Sequence, residues 1–302
     1  MTEVIRYEHV DISYKGKRVV HDVSFSVEKG EILGIVGESG SGKSTLIKAA
    51  MGLLGKDGLV TRGDIWYKGM DLPDLKPREM RKLCGPELGM IFQTAGSSFC
   101  PIRTVRAQLY EFMTEHKKIK ADVFENQAEE LLEKFGFEDP KRVLDSYPFE
   151  LSGGQKKRVA IAGVLAMNPK ILILDEPTAG LDPKGRDDIL DQIAELHKVR
   201  GITIVLVSHS MEDIAKYVER LIVMNHGEAV FDDTPKKVFS HYKELETMGL
   251  AAPQITYIMH ALKEHGLHVD ADATTVEEAR DSILAALAQA NSPLLNKGGA
   301  EK

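Results

Sequence analysis

A glycine-rich stretch directly after an apolar run constrains this chain more than any other sequence feature. Residues 32–36 are apolar apart from one glycine, and residues 45–51 have the pattern of a helix. The pattern G-x-x-x-x-G-K-[ST] and the residue after it comprise Gly37, Glu38, Ser39, Gly40, Ser41, Gly42, Lys43, Ser44 and Thr45. This strand–loop–helix context is typical of a P-loop, whose backbone N–H groups surround a polyphosphate at the start of a helix. The pattern predicts nucleotide binding, with Lys43 reaching the β- and γ-phosphates and the Ser44 hydroxyl available to Mg²⁺.

The chain alternates strand-like and helix-like patterns along most of its length, which is typical of an α/β fold. Residues 32–36, 171–174 and 202–207 are dense in branched apolar residues, as are parallel strands that are buried on both faces. Residues 4–14 and 19–27 instead alternate apolar and polar positions on either side of a short turn, which predicts antiparallel strands. We therefore expect a mostly parallel central sheet with an N-terminal antiparallel β subdomain.

The remaining patterns predict how the chain is divided. Helical patterns dominate from about residue 70 to 165, which indicates a helical subdomain inserted into the α/β domain. The sheet pattern then stops after residue 239. Residues 255–265 and 276–288 have helical patterns, and the second begins with Thr275 and Glu278 at capping-box spacing. The final residues have the composition of a frayed end. The predicted units are a nucleotide-binding domain at 1–240 and a C-terminal helical extension at 241–302.

Charge and composition exclude several classes of protein. The 302 residues include 39 basic and 46 acidic side chains, a formal net charge of −7, so no nucleic-acid partner is expected. The longest apolar run, residues 159–167, is far shorter than the ~20 residues that cross a bilayer. The charged first residues predict no signal peptide. Two cysteines, Cys84 and Cys100, predict a reducing compartment without a disulfide framework. A role at a membrane would therefore require a separate membrane partner.

Two carboxylates follow the apolar run at residues 171–174. Because ligands of open parallel sheets lie beyond the carboxyl ends of the strands, Asp175 and Glu176 are expected beside the phosphates. Asp175 is suited to hold Mg²⁺ through water, and Glu176 to act as general base on the attacking water. His209 follows the third apolar run and is expected at the same edge, in contact with the γ-phosphate. The amide of Gln93, after a further short apolar run, is a candidate to reach Mg²⁺ or the water.

A second anion-binding motif lies more than a hundred residues after the P-loop. Leu151 is followed by Ser152, Gly153, Gly154 and Gln155, and a helical pattern begins directly afterwards. Backbone N–H groups at a helix N-terminus favour a negatively charged ligand. Two separate phosphate-binding helix starts in one chain suggest that a nucleotide is shared between two chains.

Taken together, these motifs resemble the ATP-binding subunits of ABC transporters over about residues 1–240. The P-loop resembles Walker A, the LSGGQ string the family signature, ILILDE Walker B, the residues ending at Asp182 the D-loop, and His209 the switch histidine. The resemblance places Tyr14 where the family stacks an aromatic ring on adenine, and Gln93 at the Q-loop. It implies an ABC cassette fold, Mg²⁺-dependent hydrolysis of ATP, and a head-to-tail dimer. Each ATP would lie between Walker A of one chain and the signature of the other.

The resemblance differs between the two halves of the chain. Residues 5 to about 150 resemble subunits of peptide and nickel importers, through the VGESGSGKST and GMIFQ strings. From residue 151 onward, the chain resembles subunits of energy-coupling factor transporters, which import vitamins. We therefore expect an ATPase that powers a peptide- or nickel-type importer, with an energy-coupling factor ATPase as the alternative. A soluble non-transport ABC ATPase is the third possibility; such proteins carry long coiled-coil inserts or two cassettes.

The resemblance also implies partners. One is a second ABC ATPase subunit, either identical or related, and the other is a separate integral membrane subunit. The chain would then be peripheral, on the cytoplasmic face of the cell membrane. In the family, the membrane subunit docks in a groove that this sequence places within residues 90–150. We therefore expect a membrane partner of the peptide or nickel type.

Overall fold

The strands of the described residues form two sheets. The structure, a computed structural model, describes residues 2–94, 96, 98–116 and 118–291. The sheet that we call the core sheet contains β3 (Ile32–Gly37), β6 (Leu88–Ile91), β7 (Ile171–Asp175), β8 (Thr203–Val207), β9 (Arg220–Asn225) and β10 (Glu228–Asp233). Their spatial order is β10–β9–β3–β8–β7–β6, and all neighbours are parallel except β9 and β10. This is the predicted, mostly parallel central sheet.

The second sheet, which we call the side sheet, is antiparallel. It contains β1 (Glu3–Tyr14), β2 (Lys17–Glu28), β4 (Gly58–Tyr67) and β5 (Met70–Asp71), in the order β2–β1–β4–β5. Burial alternates at residues 5–7 of β1 and 23–27 of β2, and the rings of Tyr7 and Phe25 stack with centroids 4.3 Å apart. The N-terminal antiparallel subdomain predicted from the alternating pattern is confirmed.

The centre of the core sheet explains where a ligand would lie. Every residue of β3, β7 and β8 is buried, as expected for strands covered on both faces. Ile35 pairs with Val207, and Val207 pairs with Asp175, so the three strands end side by side. The loops that follow these strands therefore meet at one edge of the sheet.

Helices cover both faces of the core sheet. The helices before residue 220 are α1 (Lys43–Ala50), α2 (Pro77–Leu83), α3 (Val105–Thr114), α4 (Ala121–Lys134), α5 (Pro140–Asp145), α6 (Gly153–Ala166), α7 (Pro183–Arg200) and α8 (Met211–Tyr217). A 3₁₀ turn, Pro148–Glu150, precedes α6. The interval 70–165 also contains β6, which pairs with β7 in the core sheet. Consecutive helices without an intervening strand run from α3 to α6, and they share buried Leu109, Phe124 and Val159. The helical subdomain at 70–165 stays a proposal.

The last helices are α9 (Pro235–Ser240), α10 (Tyr242–Thr247), α11 (Gln254–Glu264) and α12 (Val276–Asn291). Leu245 of α10 packs in the main core, whereas Met259 of α11 belongs to a separate small cluster with α12. At the start of α12, the Thr275 hydroxyl accepts from the N–H of Glu278 (3.3 Å). The Glu278 carboxylate accepts from Thr274 (3.0 Å), one residue before the expected partner. The division at residue 240 stays a proposal, and the frayed end lies outside the described residues.

Candidate nucleotide-binding site

The P-loop connects β3 to α1 in a space that admits only glycine at two points. A Cβ on Gly37 would lie 2.2 Å from the carbonyl oxygen of Met224 on β9. Gly42 forms the N-cap of α1 with φ of +99°, a conformation that side chains disfavour. A Cβ there would also lie 3.0 Å from the side chain of Val20 in the side sheet. The loop is therefore enclosed between the side sheet and the end of β9.

Lys43 begins α1 and is buried. Its ammonium donates to the carbonyl oxygens of Gly37 (2.7 Å) and Glu38 (2.8 Å). Burial lowers the pKa of Lys43, while the carboxylates of Glu176, Asp175 and Glu38 act in the opposite direction. The ammonium thus lies within a loop of carbonyl and N–H groups, close to the acidic strand end.

The P-loop and the acidic end of β7 meet through Ser44 and Asp175. Asp175 ends β7 and is almost fully buried, and its Oδ1 accepts a hydrogen bond of 2.9 Å from the Ser44 hydroxyl. These residues are 131 positions apart in the sequence, and the parallel order of β3, β8 and β7 brings them together. A hydroxyl and a carboxylate side by side are hard oxygen donors of the kind that Mg²⁺ prefers.

Glu176 and His209 form a pair at the same edge. Glu176 has φ of +52°, a left-handed conformation that is uncommon for a residue with a side chain. Its N–H donates to the carbonyl of Val207 on β8 (3.0 Å), which holds this backbone against the neighbouring strand. Nδ1 of His209 lies 2.6 Å from Oε2 of Glu176. Because an ionised carboxylate only accepts, Nδ1 carries the hydrogen.

The signature residues form the N-terminus of α6. The Ser152 hydroxyl accepts from the N–H of Gln155 (3.2 Å), and the Gln155 side-chain oxygen accepts from the N–H of Ser152 (2.9 Å). This reciprocal capping box defines where the helix begins. Asp182 caps α7 in the same way by accepting from Gly185 (3.2 Å). The two helix starts line one cavity of about 330 Å³, together with Gly154.

The structure joins some of the expected residues through direct contacts and places the others on nearby elements. Lys43, Ser44, Asp175, Glu176 and His209 share the carboxyl edge of the core sheet. Tyr14 ends β1, pairs with Lys17 and lies against Gly58. Gln93 follows β6 by two residues, next to the end of β7. The roles of all these residues toward a nucleotide remain predictions.

Sequence reasoning missed one buried cation near the site. Lys157 lies in the first turns of α6 and is 5% exposed. Its ammonium donates to the carbonyls of Glu176 (3.2 Å) and Ala179 (2.9 Å). The signal was present, because Lys157 shares one helix face with Ile161 and Leu165, both buried. A lysine in an apolar stripe points to a buried partner.

Fold and site together define an ATP-binding cassette, in which a P-loop and an acidic strand end share one sheet edge. The profile described as ABC transporter matches residues 20–179, and the chain belongs to this family. It is an ATP-binding ATPase subunit.

Individual proteins are similar to this chain over most of its length. The energy-coupling factor transporter ATP-binding protein EcfA2 of Clostridium tetani is 42% identical over 270 residues, which are 89% of this chain and 90% of the relative. The structure of cbiO1 from Clostridium perfringens, described as part of the ABC transporter complex cbiONQ, has a TM-score of 0.69 and 30% identity. That match covers 86% of this chain and 100% of the other. A dimeric ATP-binding cassette bound to ADP and Pi has a TM-score of 0.67 and 27% identity, covering 76% and 98%.

These relatives correct one expectation. The assignment to a peptide- or nickel-type importer is wrong, and so is the partner of that type inferred from residues 90–150. The match to EcfA2 covers nine-tenths of the chain and therefore extends through the N-terminal half on which that assignment depended. The strings that suggested it lie in and beside the P-loop and Q-loop. Phosphate binding constrains such strings, so they report the nucleotide chemistry rather than the class of transporter.

Proposed function

We propose that this chain is the ATP-hydrolysing subunit of an energy-coupling factor transporter, bound at the cytoplasmic face of the membrane through a separate integral membrane subunit. The similarity to EcfA2 across both halves of the chain carries this proposal. Among the described residues, none of the helices combines the length and the hydrophobicity that a membrane span requires. A similar chain, cbiO1, is described as part of a complex, which also supports an assembled transporter.

Binding of ATP is proposed to begin at the P-loop. The backbone N–H groups of residues 37–45 would surround the phosphates at the N-terminus of α1. Lys43 would exchange its present carbonyl partners for the β- and γ-phosphate oxygens. Tyr14, at the end of β1, is proposed to stack on the adenine ring. This arrangement leaves the γ-phosphate nearest to β7 and β8.

A magnesium ion fits the oxygen donors at the end of β7. Ser44 and Asp175 lie within one hydrogen bond of each other, and Gln93 follows the adjacent strand. No group of three or more His, Cys, Asp and Glu able to hold a metal was found in the described part of the chain. Mg²⁺ is usually bound by one or two protein side-chain oxygens together with substrate phosphate oxygens and water. Bound here, it would neutralise negative charge on the phosphates during transfer.

Hydrolysis is proposed to use the pair at the sheet edge. Glu176 accepts a proton from water as the water oxygen bonds to the γ-phosphorus. The bond from that phosphorus to the β–γ bridging oxygen breaks, which yields ADP and inorganic phosphate. His209 holds the Glu176 carboxylate through Nδ1–H and would contact the γ-phosphate with the remainder of its ring. The 2.6 Å contact between the two side chains supports this orientation.

The signature is proposed to act on a nucleotide held by a second ATPase subunit. Ser152, Gly153, Gly154 and Gln155 form an N-terminus at the surface, and Asp182 lines the same cavity. The similar cassette described as dimeric, with ADP and Pi, supports a dimer. Each site would then combine the P-loop of one subunit with the signature of the other.

Co-expression tests the transporter class. The full chain is expressed with integral membrane subunits of the energy-coupling factor type, and in parallel with those of a peptide importer. We expect co-purification and stimulated ATP hydrolysis only with the first set. A Glu176→Gln chain in the same membranes measures the background of other ATPases. Co-purification with the peptide-type subunits alone would contradict the proposal, while leaving the ATPase assignment intact.

A further inference from the structure

The carbonyl side of Glu176 is held by a residue that the proposed mechanism does not use. The Glu176 carbonyl accepts from the N–H of Ala179 (3.2 Å) and also from the ammonium of Lys157 (3.2 Å). The same ammonium donates to the carbonyl of Ala179 (2.9 Å). Lys157 therefore bridges both ends of the turn at residues 176–179, immediately before the D-loop.

The turn needs such support because its first residue adopts a left-handed backbone. A residue other than glycine, such as Glu176, keeps a positive φ only where surrounding contacts hold its backbone in place. On the N–H side, the hydrogen bond to Val207 ties Glu176 to β8. On the carbonyl side, the bond from Lys157 ties it to α6. Rotation of this peptide would redirect the Glu176 side chain away from His209.

The burial of Lys157 indicates that its ammonium group, and not only its apolar stem, is required at this position. A lysine is rarely fully buried without partners, and this one contributes its charge to two neutral carbonyls. A buried apolar side chain would fill the same space without donating to either carbonyl. The ammonium is thus the part of the residue that the turn uses.

We propose that Lys157 is a positioning residue for hydrolysis: by bonding the carbonyls of Glu176 and Ala179 from α6, it fixes the direction of the Glu176 carboxylate. This inference rests on the proposed role of Glu176 as the base. It also gives α6, whose first residues form the signature, a direct bond to the backbone of the catalytic turn. A displacement of α6 would thereby reach the carboxylate of the same chain.

The test compares substitutions at Lys157 in the full-length chain. Lys157→Met keeps an unbranched apolar stem and removes the donors, whereas Lys157→Arg keeps a charged donor. We expect Lys157→Met to lower kcat by about 10- to 100-fold, the cost of a misplaced catalytic group, with KM for ATP changed less than about twofold. Lys157→Arg should recover most of kcat. Lys156→Met, on the same helix, is the matched control and should retain wild-type kcat.

The outcomes separate this inference from the proposed function. Normal kcat in Lys157→Met, beside an inactive Glu176→Gln, would overturn the positioning role and leave Glu176 as the base. Normal turnover in Glu176→Gln would overturn the base itself. A loss in Lys157→Met that appears mainly in KM, or that Lys157→Arg does not relieve, would also contradict positioning. If Lys157→Met does not fold, as judged by circular dichroism, Lys157→Ala, which also removes the donors, is judged by the same criteria.

Discussion

The carboxylate of Glu176 is the single side chain on which turnover is expected to depend most. The Glu176 side chain is only 12% exposed, and its Oε2 lies 2.6 Å from Nδ1 of His209. Glutamine has the same size and offers an oxygen to Nδ1–H, so the surrounding contacts would survive its introduction. What glutamine cannot do is accept a proton from water. The substitution of Glu176 by glutamine therefore tests proton transfer without changing the packing of the side chain.

We expect Glu176→Gln to bind ATP normally and to lose about 10²- to 10⁴-fold in turnover, the usual contribution of a general base. Nucleotide binding is measured by fluorescence titration and turnover by phosphate release. Glu195→Gln, at an exposed position of α7, is the matched control for the change of charge. Near-normal phosphate release from Glu176→Gln would remove this residue from the role of base.

Among the elements, α6 combines two proposed roles within its first two turns. Its N-terminus carries the exposed Ser152 and is directed to solvent, whereas Lys157, one turn later, is buried against the catalytic turn. The capping box at Ser152 fixes the start of the helix and so fixes which N–H groups are exposed. In the proposed dimer, a second subunit would contact the exposed start of this helix and leave its buried part unchanged.

Ser152→Arg is expected to leave ATP binding by the isolated chain intact and to block ATP-driven dimerisation, because a bulky cation replaces the exposed cap. Light scattering with ATP, on a Glu176→Gln background, measures the mass of the assembly. Ser240→Arg places the same side chain at an exposed serine of α9 and should still dimerise. Ser152→Ala separates the loss of the cap, about 1 kcal/mol, from the steric effect. An unchanged dimer in Ser152→Arg would exclude the shared-site arrangement.

At the scale of the whole molecule, Glu87 joins the side sheet to the core sheet. Its carboxylate accepts from Lys170 (2.8 Å), which precedes β7, and from Lys68 (2.6 Å), which follows β4. The hydroxyl of Tyr67 on β4 donates to it as well. Burial acts to raise the pKa of Glu87, but these three donors outweigh it and lower the pKa to about 2 from the ordinary 4.5.

Glu87→Gln should therefore destabilise the protein in a pH-dependent way. A carboxylate whose pKa is lowered on folding stabilises the fold above its ordinary pKa, and this contribution disappears as the pH falls towards 2. We expect a loss of about 1.5–3 kcal/mol at pH 7, the usual range for hydrogen bonds to charged groups. This loss should shrink as the pH falls below 4.5. Urea unfolding at several pH values measures it. Glu130→Gln, an exposed partner of Lys134, should leave the midpoint unchanged. A pH-independent difference for Glu87→Gln would contradict the ionic origin.

Local patterns predicted much of this fold and of its candidate site. Apolar runs and the P-loop spacing are set by residues that are close together in the sequence. The strands β3, β7 and β8 and the N-terminal antiparallel strands could therefore be predicted from the sequence. The bond between Lys157 and Glu176 was not, because it depends on how α6 packs against a turn that follows β7. The joining role of Glu87 similarly needs the relative placement of two sheets. The class of transporter was missed because nucleotide chemistry constrains the motif strings that were used to infer it.

The position of β3 in the core sheet also has a consequence for synthesis on the ribosome. Ile32 pairs with Ile204 of β8, and Leu33 with Arg220 of β9, so both neighbours of this strand emerge late. At about 5–20 residues per second, roughly 10–40 s separate translation of β3 from that of β9. Gly37 is enclosed only when Met224 has arrived. A nascent chain therefore carries its complete P-loop sequence long before it has a phosphate-binding site, and ATP can stabilise that site only in a chain that extends past residue 224.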